Sequence, residues 1–295
     1  MKAHTTFRIG GPADYFVDVK DTEELMALLS LCREDGMPWH ILGNGSNLLV
    51  ADRGVKGVVI RLSGEFEGYE ICREGPEGRL SAGAGIRLAK LAKAAAGAGL
   101  SGLAFAGGIP GTLGGALVMN AGAYGGEMSQ VLSSIQYLDQ TGIHTIGPDE
   151  ARFDYRNSRF MQEGSLVLGA VLHLKPGDRQ QIQDQMQELA RRRKEKQPLE
   201  YPSAGSMFKR PEGYFAGKLI QDAGLSGFTV GGAKISEKHC GFVVNTGAAT
   251  AQDVRNLVRA VHDKVWECFG VRIWPEVRYL GEQGWEPMLA PKGEA

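Results

Sequence analysis

Apolar positions fall into short alternating or helically spaced groups separated by glycine. Residues 14–20 alternate as a strand does. Residues 22–35 then place Leu25, Leu28, Leu29 and Cys32 at helical spacing, and Gly36 supplies a terminator that tolerates a left-handed backbone. A strand over 39–42 runs into Gly43-Asn44-Gly45-Ser46-Asn47, and another over 57–62 completes a predicted β-α-β unit. Two short strands around a turn at 74–78 follow, then a helix over 86–96 with Ile86, Leu88, Leu91 and Ala95 on one stripe. Beyond a glycine-dense stretch at 97–126, a hairpin turns at Gln140-Thr141-Gly142, and 166–174 reads as a buried strand.

Lys175-Pro176-Gly177-Asp178 breaks the composition and marks a domain boundary. The pattern then predicts a polar helix over 180–197, a short helix over 214–223, strands near 228–236 and 241–245, and a helix opened by Thr250 and Asp253. Val254, Leu257, Val258, Val261, Val265 and Phe269 form its apolar face. Residues 272–274 and 276–280 are expected to be closing strands, and the last dozen residues a loose tail. The cations Arg191 to Lys196 end the 180–197 helix, where they suit its macrodipole; a phosphate contact is the other reading.

Composition narrows the chemistry. Thirty-three basic against 34 acidic residues give a net charge of −1, so nothing points to nucleic acid or an anionic membrane. Cys32, Cys72, Cys240 and Cys268 form no Cys-x-x-Cys pair, the six histidines lack metal-ligand spacing, and no run is long enough to span a bilayer. The chain reads as cytosolic, with reduced thiols and no metal site. Glycine is the outlier, 42 of 295 residues.

A Gly-x-Gly-x-x-Gly at Gly97, Gly99 and Gly102 closes a helix instead of opening one, so it reads as a helix-ending turn and not a dinucleotide fingerprint. Gly43 to Asn47 and Gly107 to Gly115 are stronger. Successive backbone N–H groups in a bend with few side chains suit a diphosphate, although tight turns explain each cluster equally well when it is taken alone. Polar residues able to do chemistry lie at Tyr155-Arg156-Asn157-Ser158, Ser203 to Lys209, and Pro275-Glu276-Val277-Arg278. None of these stretches contains a histidine, and Ser206 sits in no Gly-x-Ser-x-Gly elbow.

Taken in order, His4 to Asp14, Leu42-Gly43-Asn44-Gly45-Ser46-Asn47-Leu48-Leu49, Gly107 to Gly115 and Asn120-Ala121-Gly122-Ala123-Tyr124-Gly125 resemble the flavin domain of the UDP-N-acetylenolpyruvoylglucosamine reductase family. Ala204 to Lys209, Gly231 to Ser236, Phe242 to Gly247 and Pro275 to Arg278 resemble its C-terminal half, so the likeness spans about residues 4–281. It implies an α+β fold: a two-subdomain flavin-binding region of the vanillyl-alcohol-oxidase type over 1–178, with subdomains at about 1–62 and 63–178. A substrate domain over 179–281 and a tail over 282–295 follow.

The resemblance also implies reduction of the enolpyruvyl ether of UDP-N-acetylglucosamine to UDP-N-acetylmuramate in peptidoglycan synthesis. The cofactor is a non-covalent FAD, NADPH the electron donor, and the partner a sugar-nucleotide substrate, with no obligate protein partner. By motif, Ser206 is expected to donate the proton, Arg156 to stabilise the enolate and Glu276 to orient the carboxylate network. Tyr155, Lys209, Arg210 and Arg278 are expected at the substrate. Leu42, Gly43, Asn44, Gly45, Ser46, Asn47, Leu48, Gly107, Gly108, Ile109, Pro110, Gly111, Gly114, Gly115, Asn120, Ala121 and Gly122 are expected at the cofactor.

Two departures matter. Arg210 stands where the family commonly has Asn, and no long insertion lies between Gly142 and Phe160, which places the chain with the shorter subclass lacking an extra substrate-covering loop. The alternatives are a carbohydrate or alcohol oxidase on the same fold, and a flavin-free sugar-nucleotide-binding protein.

Overall fold

The computed structural model describes residues 1–74, 77–161 and 164–289. The turn expected at 74–78 lies partly outside them. The chain folds into two compact units. One gathers Met1–Tyr15, Gly45–Val58 and the chain from Lys194 onward; the other holds Phe16–Asn44 and Val59–Arg193. The strands Ala13–Val19, Val55–Leu62 and Trp39–Leu42 form a three-stranded sheet in which Val55–Leu62 is central.

In the second unit, an antiparallel sheet is ordered Gly142–Ile146, Leu132–Asp139, Leu166–Pro176, Glu77–Gly83, Tyr69–Glu74. The predicted hairpin is present in register, with Leu138 opposite Ile143 and Asp139 opposite Gly142. Helix Leu88–Gly97 packs Leu88, Leu91 and Ala95 inward, all fully buried. It ends through Ala98 and Gly99, whose φ of +67° needs a residue without a Cβ, so the Gly97 cluster is the helix terminator the spacing implies. Helix Thr22–Glu34 buries only Leu25 and Cys32; Leu28 and Leu29, expected beside them, are half-buried.

In the first unit, four strands pair antiparallel in the order Ser203–Ser206, Phe242–Asn245, Ala233–Ile235, Thr229–Val230. The stretch expected as strand at 228–236 is thus a hairpin, broken where Gly232 lies so close to Ala249 that a Cβ would sit 2.3 Å from its backbone nitrogen. Helix Ala251–Phe269 opens on the predicted capping box, Thr250 and Asp253 each accepting the other's backbone N–H. Its face from Val254 to Val265 is fully buried, each side chain contributing roughly 1.5–3 kcal/mol. Phe269 is the exception, 40% exposed, because the chain leaves the helix one residue later through Gly270 at φ +63°.

Two further expectations change. Residues 272–274 alternate in burial, with Ile273 inside, yet join no sheet. Their nearest pairing is an isolated bridge between Phe208 and Pro275. The tail is ordered as far as Leu289: Gly284–Glu286 pairs with Arg278–Gly281, and Met288 and Leu289 are buried in the core beneath it. Residues 290–295 lie outside the described residues.

Candidate active site

The first glycine bend leaves the strand Trp39–Leu42, whose Leu42 is buried. A Cβ on Gly43 would stand 2.6 Å from the Thr112 hydroxyl, and the Asn44 amide donates to the Pro110 carbonyl, so these residues lie directly against the second bend. Gly45 has φ +59°, and a Cβ there would meet the His4 carbonyl at 2.2 Å. Only glycine fits. The backbone N–H groups of Gly45 and Ser46 donate to no acceptor among the described residues. Asn47 accepts the Arg278 N–H at 3.1 Å and donates its side-chain amide to the Glu276 carbonyl at 3.3 Å. Leu48–Val50 continues parallel to Arg278–Gly281.

The second bend is more heavily engaged. The Leu113 and Gly114 N–H groups donate to Ile86 and Ala84, both at 2.9 Å, and the Gly115 N–H points at the Thr112 hydroxyl 3.5 Å away. A Cβ on Gly114 would lie 2.8 Å from that of Ala84, so this glycine permits close packing. The Gly111 N–H, by contrast, donates to nothing among the described residues. Gly107 and Gly108 face Met186 and Arg193: a Cβ on Gly108 would be 3.2 Å from the Arg193 guanidinium, which burial pushes below its usual range. Ile109 and Pro110 continue the bend.

Asn120, expected at the cofactor, is 1% exposed; its side chain accepts the Ser129 N–H and donates to the Asp154 carbonyl. The Ala121 N–H and carbonyl are likewise engaged, with Ala116 and Met128. Both residues hold the loop from within. The Gly122 carbonyl accepts from Arg156 Nη2 at 2.9 Å. Arg156 rides on a tight turn closed by Asp154 and Asn157, at φ +54°, with its guanidinium 5.0 Å from the Tyr155 ring; Tyr155 is exposed.

Ser206 and Glu276 are 70 positions apart in sequence and are connected through Met207. Ser206 ends its strand opposite Phe242, and its hydroxyl donates to the Phe208 carbonyl at 3.3 Å. The next residue, Met207, donates its N–H to Gly241 at 2.7 Å and accepts the Glu276 N–H at 2.8 Å. Lys209 is bonded through its N–H to the Trp274 carbonyl. Arg278 stacks 4.0 Å from the Trp285 ring, and burial lowers its pKa. Arg210 is exposed, stacked 4.0 Å from the Phe215 ring and bonded to the Tyr214 carbonyl. Sequence reasoning missed His239, whose Nδ1 accepts the Gly241 N–H at 3.1 Å, just behind Ser206. The residues it serves are remote in sequence, so no local spacing marks it.

Known proteins resemble this chain in sequence and fold. Family models match in two places: the FAD binding domain over residues 13–147, and the C-terminal domain of UDP-N-acetylenolpyruvoylglucosamine reductase over 197–280. The reductases of that name from Lachnoclostridium phytofermentans and Agathobacter rectalis are 49% and 50% identical to this chain, each match covering 96% of it and 92% of the relative. A crystal structure of the reductase from Thermus caldophilus superposes with a TM-score of 0.81 at 41% identity, over 94% of this chain and 96% of that one.

Proposed function

The chain belongs to the UDP-N-acetylenolpyruvoylglucosamine reductase family, and from that premise we propose which of its residues carry the reaction. It is an FAD-dependent oxidoreductase of peptidoglycan synthesis with NADPH as reductant, on an α+β fold. We place it in the cytoplasm, where its nucleotide substrates are; among the described residues no helix is long and apolar enough to cross a membrane.

The glycine bends fit a flavin dinucleotide. Gly45, Ser46 and Gly111 present backbone N–H groups with no acceptor among the described residues, in bends where side chains are few. Leu42, Gly43, Asn44, Asn47, Leu48, Gly107, Gly108, Ile109 and Pro110 would shape these bends, and Gly114, Gly115, Asn120, Ala121 and Gly122 would support them from behind. Residues 1–178 would serve the flavin and 179–281 the substrate. When bound, FAD supplies hydride to the β-carbon of the enolpyruvyl ether.

The remaining chemistry falls to side chains. Hydride addition leaves negative charge across the α-carbon and carboxylate, and catalysis consists of stabilising that charge and delivering one proton. Arg156 supplies the positive charge. Ser206 Oγ gives its proton to the α-carbon, completing the C–H bond, and recovers one from solvent. A serine hydroxyl is a weak acid, so it serves only a strongly basic carbanion held close and away from water. Glu276 orients the carboxylate side, while Tyr155, Lys209, Arg210 and Arg278 hold the nucleotide sugar.

The observation that supports these roles is at Met207, the residue bonded to Ser206, whose carbonyl accepts the Glu276 N–H at 2.8 Å. The test is direct: the purified protein is yellow, and it oxidises NADPH beyond one equivalent per flavin only when the enolpyruvyl sugar nucleotide is added. Oxygen consumption without that substrate would identify an oxidase instead, and colourless protein that binds the sugar nucleotide would identify a flavin-free binder.

A further inference from the structure

His239 occupies a site built for an imidazole. Its ring lies between two glycines: a Cβ on Gly241 would fall 2.9 Å from Cε1 and 3.1 Å from Nδ1, and one on Gly217 would fall 3.5 Å from Cε1. The Phe242 ring closes one side edge-on, with centroids 5.0 Å apart. The Ser206 hydroxyl stands 3.5 Å from the same Gly241 position, so hydroxyl and imidazole flank one face of that residue. The histidine backbone is fixed at both ends, its N–H donating to the Ser236 hydroxyl at 3.3 Å and its carbonyl accepting from Phe242 at 2.9 Å.

The hydrogen bond from Gly241 N–H fixes the tautomer. A backbone amide only donates, so Nδ1 is unprotonated and the ring proton is on Nε2. Burial, which lowers the pKa of His239, favours this neutral form. Beyond Gly241 two more hydrogen bonds follow, each one Cα removed from the last: the Gly241 carbonyl takes the Met207 N–H, and the Met207 carbonyl takes the Glu276 N–H. Ser206 is attached directly to Met207.

Strand pairing does only part of this work: Ser206 pairs with Phe242, and the bond from Met207 N–H to the Gly241 carbonyl is the last of that ladder. The ladder between Ser203–Ser206 and Phe242–Asn245 shifts register between Ser203 and Ser206, where Gly205 turns to φ +83°. Ser206 therefore follows an irregularity and depends on the Gly241 peptide for its placement.

We propose that His239 is a positioning residue for proton delivery by Ser206: its imidazole Nδ1 holds the Gly241 peptide, and through Met207 sets both the Ser206 hydroxyl and the Glu276 backbone. The proposal rests on reading Ser206 as the proton donor.

The test uses the holoenzyme and separates flavin reduction by NADPH from flavin reoxidation by the enolpyruvyl substrate in stopped flow. His239→Leu keeps bulk but removes the acceptor. It slows reoxidation about 10- to 100-fold, the scale of a small misplacement of a reacting group, and leaves reduction by NADPH unchanged. The solvent deuterium isotope effect on reoxidation rises, because proton delivery becomes slower relative to hydride transfer. His239→Asn, whose side-chain oxygen reaches nearly the Nδ1 position, restores most of the rate. His239→Gln, with its carbonyl one bond further out, does not. Gly241→Ala, which drives a methyl into the ring, behaves like His239→Leu.

Equal loss in both half-reactions, unchanged reoxidation, or an Asn variant no better than Gln overturns the proposal. If His239→Leu does not fold, the Asn and Gln pair decides alone. Ser206→Ala is the control for the underlying reading: normal reoxidation there removes the proton donor itself, whereas slow reoxidation there with normal rates in the His239 variants removes only the positioning role.

Discussion

The glycine bends and the Ser206 region are built in opposite ways. Each bend is one contiguous stretch, shaped by residues lacking a Cβ and able to accept φ > 0, as at Gly45. The Ser206 region is assembled from three stretches, 203–209, 239–242 and 274–276, that meet only through backbone hydrogen bonds at Met207 and its neighbours. A bend suited to a dinucleotide can thus be encoded locally, while the surroundings of the proposed proton donor need tertiary pairing.

Four experiments press on that contrast. The largest effect belongs to Ser206→Ala, which slows turnover about 10²- to 10⁴-fold while the protein stays yellow and is still reduced by NADPH, as stopped-flow absorbance records. Loss of both half-reactions together breaks the separation of the two regions. Gly111→Val comes next: a side chain beside the free N–H blocks the dinucleotide and yields colourless protein, measured as flavin per chain.

Gly114→Ala sharpens the contrast within one bend. Its methyl meets Ala84 at about van der Waals overlap, so stability falls by about 1–3 kcal/mol in urea unfolding, with flavin affinity retained. If flavin is lost in proportion to stability, Gly114 belongs to the cofactor surface after all.

The smallest effect is in pH. The lowered pKa of His239 means the unfolded chain binds that proton more readily, so the Ser206 region loses stability as pH falls below the ordinary imidazole range. Glu188, on the helix Arg179–Lys196, is held at about 2 by side-chain hydrogen bonds from Arg191 and Arg192. A depressed carboxylate stabilises the fold above its unfolded pKa and loses that contribution as pH falls toward 2. Being exposed, it contributes little. Amide exchange followed from pH 7 to pH 3 shows Gly241 opening first and the helix around Glu188 later; the reverse order contradicts the assignment.

What the sequence discloses follows the same division. The capping box at Thr250, the terminator at Gly99 and the 132–146 hairpin are local events, and local spacing predicts them. Ile273 alternates with exposed neighbours as in a strand, but a strand needs a partner edge, which residue spacing alone does not reveal. The closing strand expected at 276–280 is present over Arg278–Gly281, but its partner Gly284–Glu286 is too short to stand out from the expected tail, and the Asn120 amide is engaged with Ser129 and Asp154, which spacing does not show. Ser206, Arg156 and Glu276 stand out through family likeness; nothing in their spacing selects them. His239 carries neither signal.

The parallel pairing of Leu48–Val50 with Arg278–Gly281 bears on how the molecule is made. Two strands separated by more than 220 residues cannot zip together until the chain through Arg278–Gly281 has left the ribosome. Throughout synthesis the N-terminal partner waits with an open edge. Chaperone demand should therefore persist until Arg278–Gly281 emerges, and amputation before Arg278 strands that edge permanently.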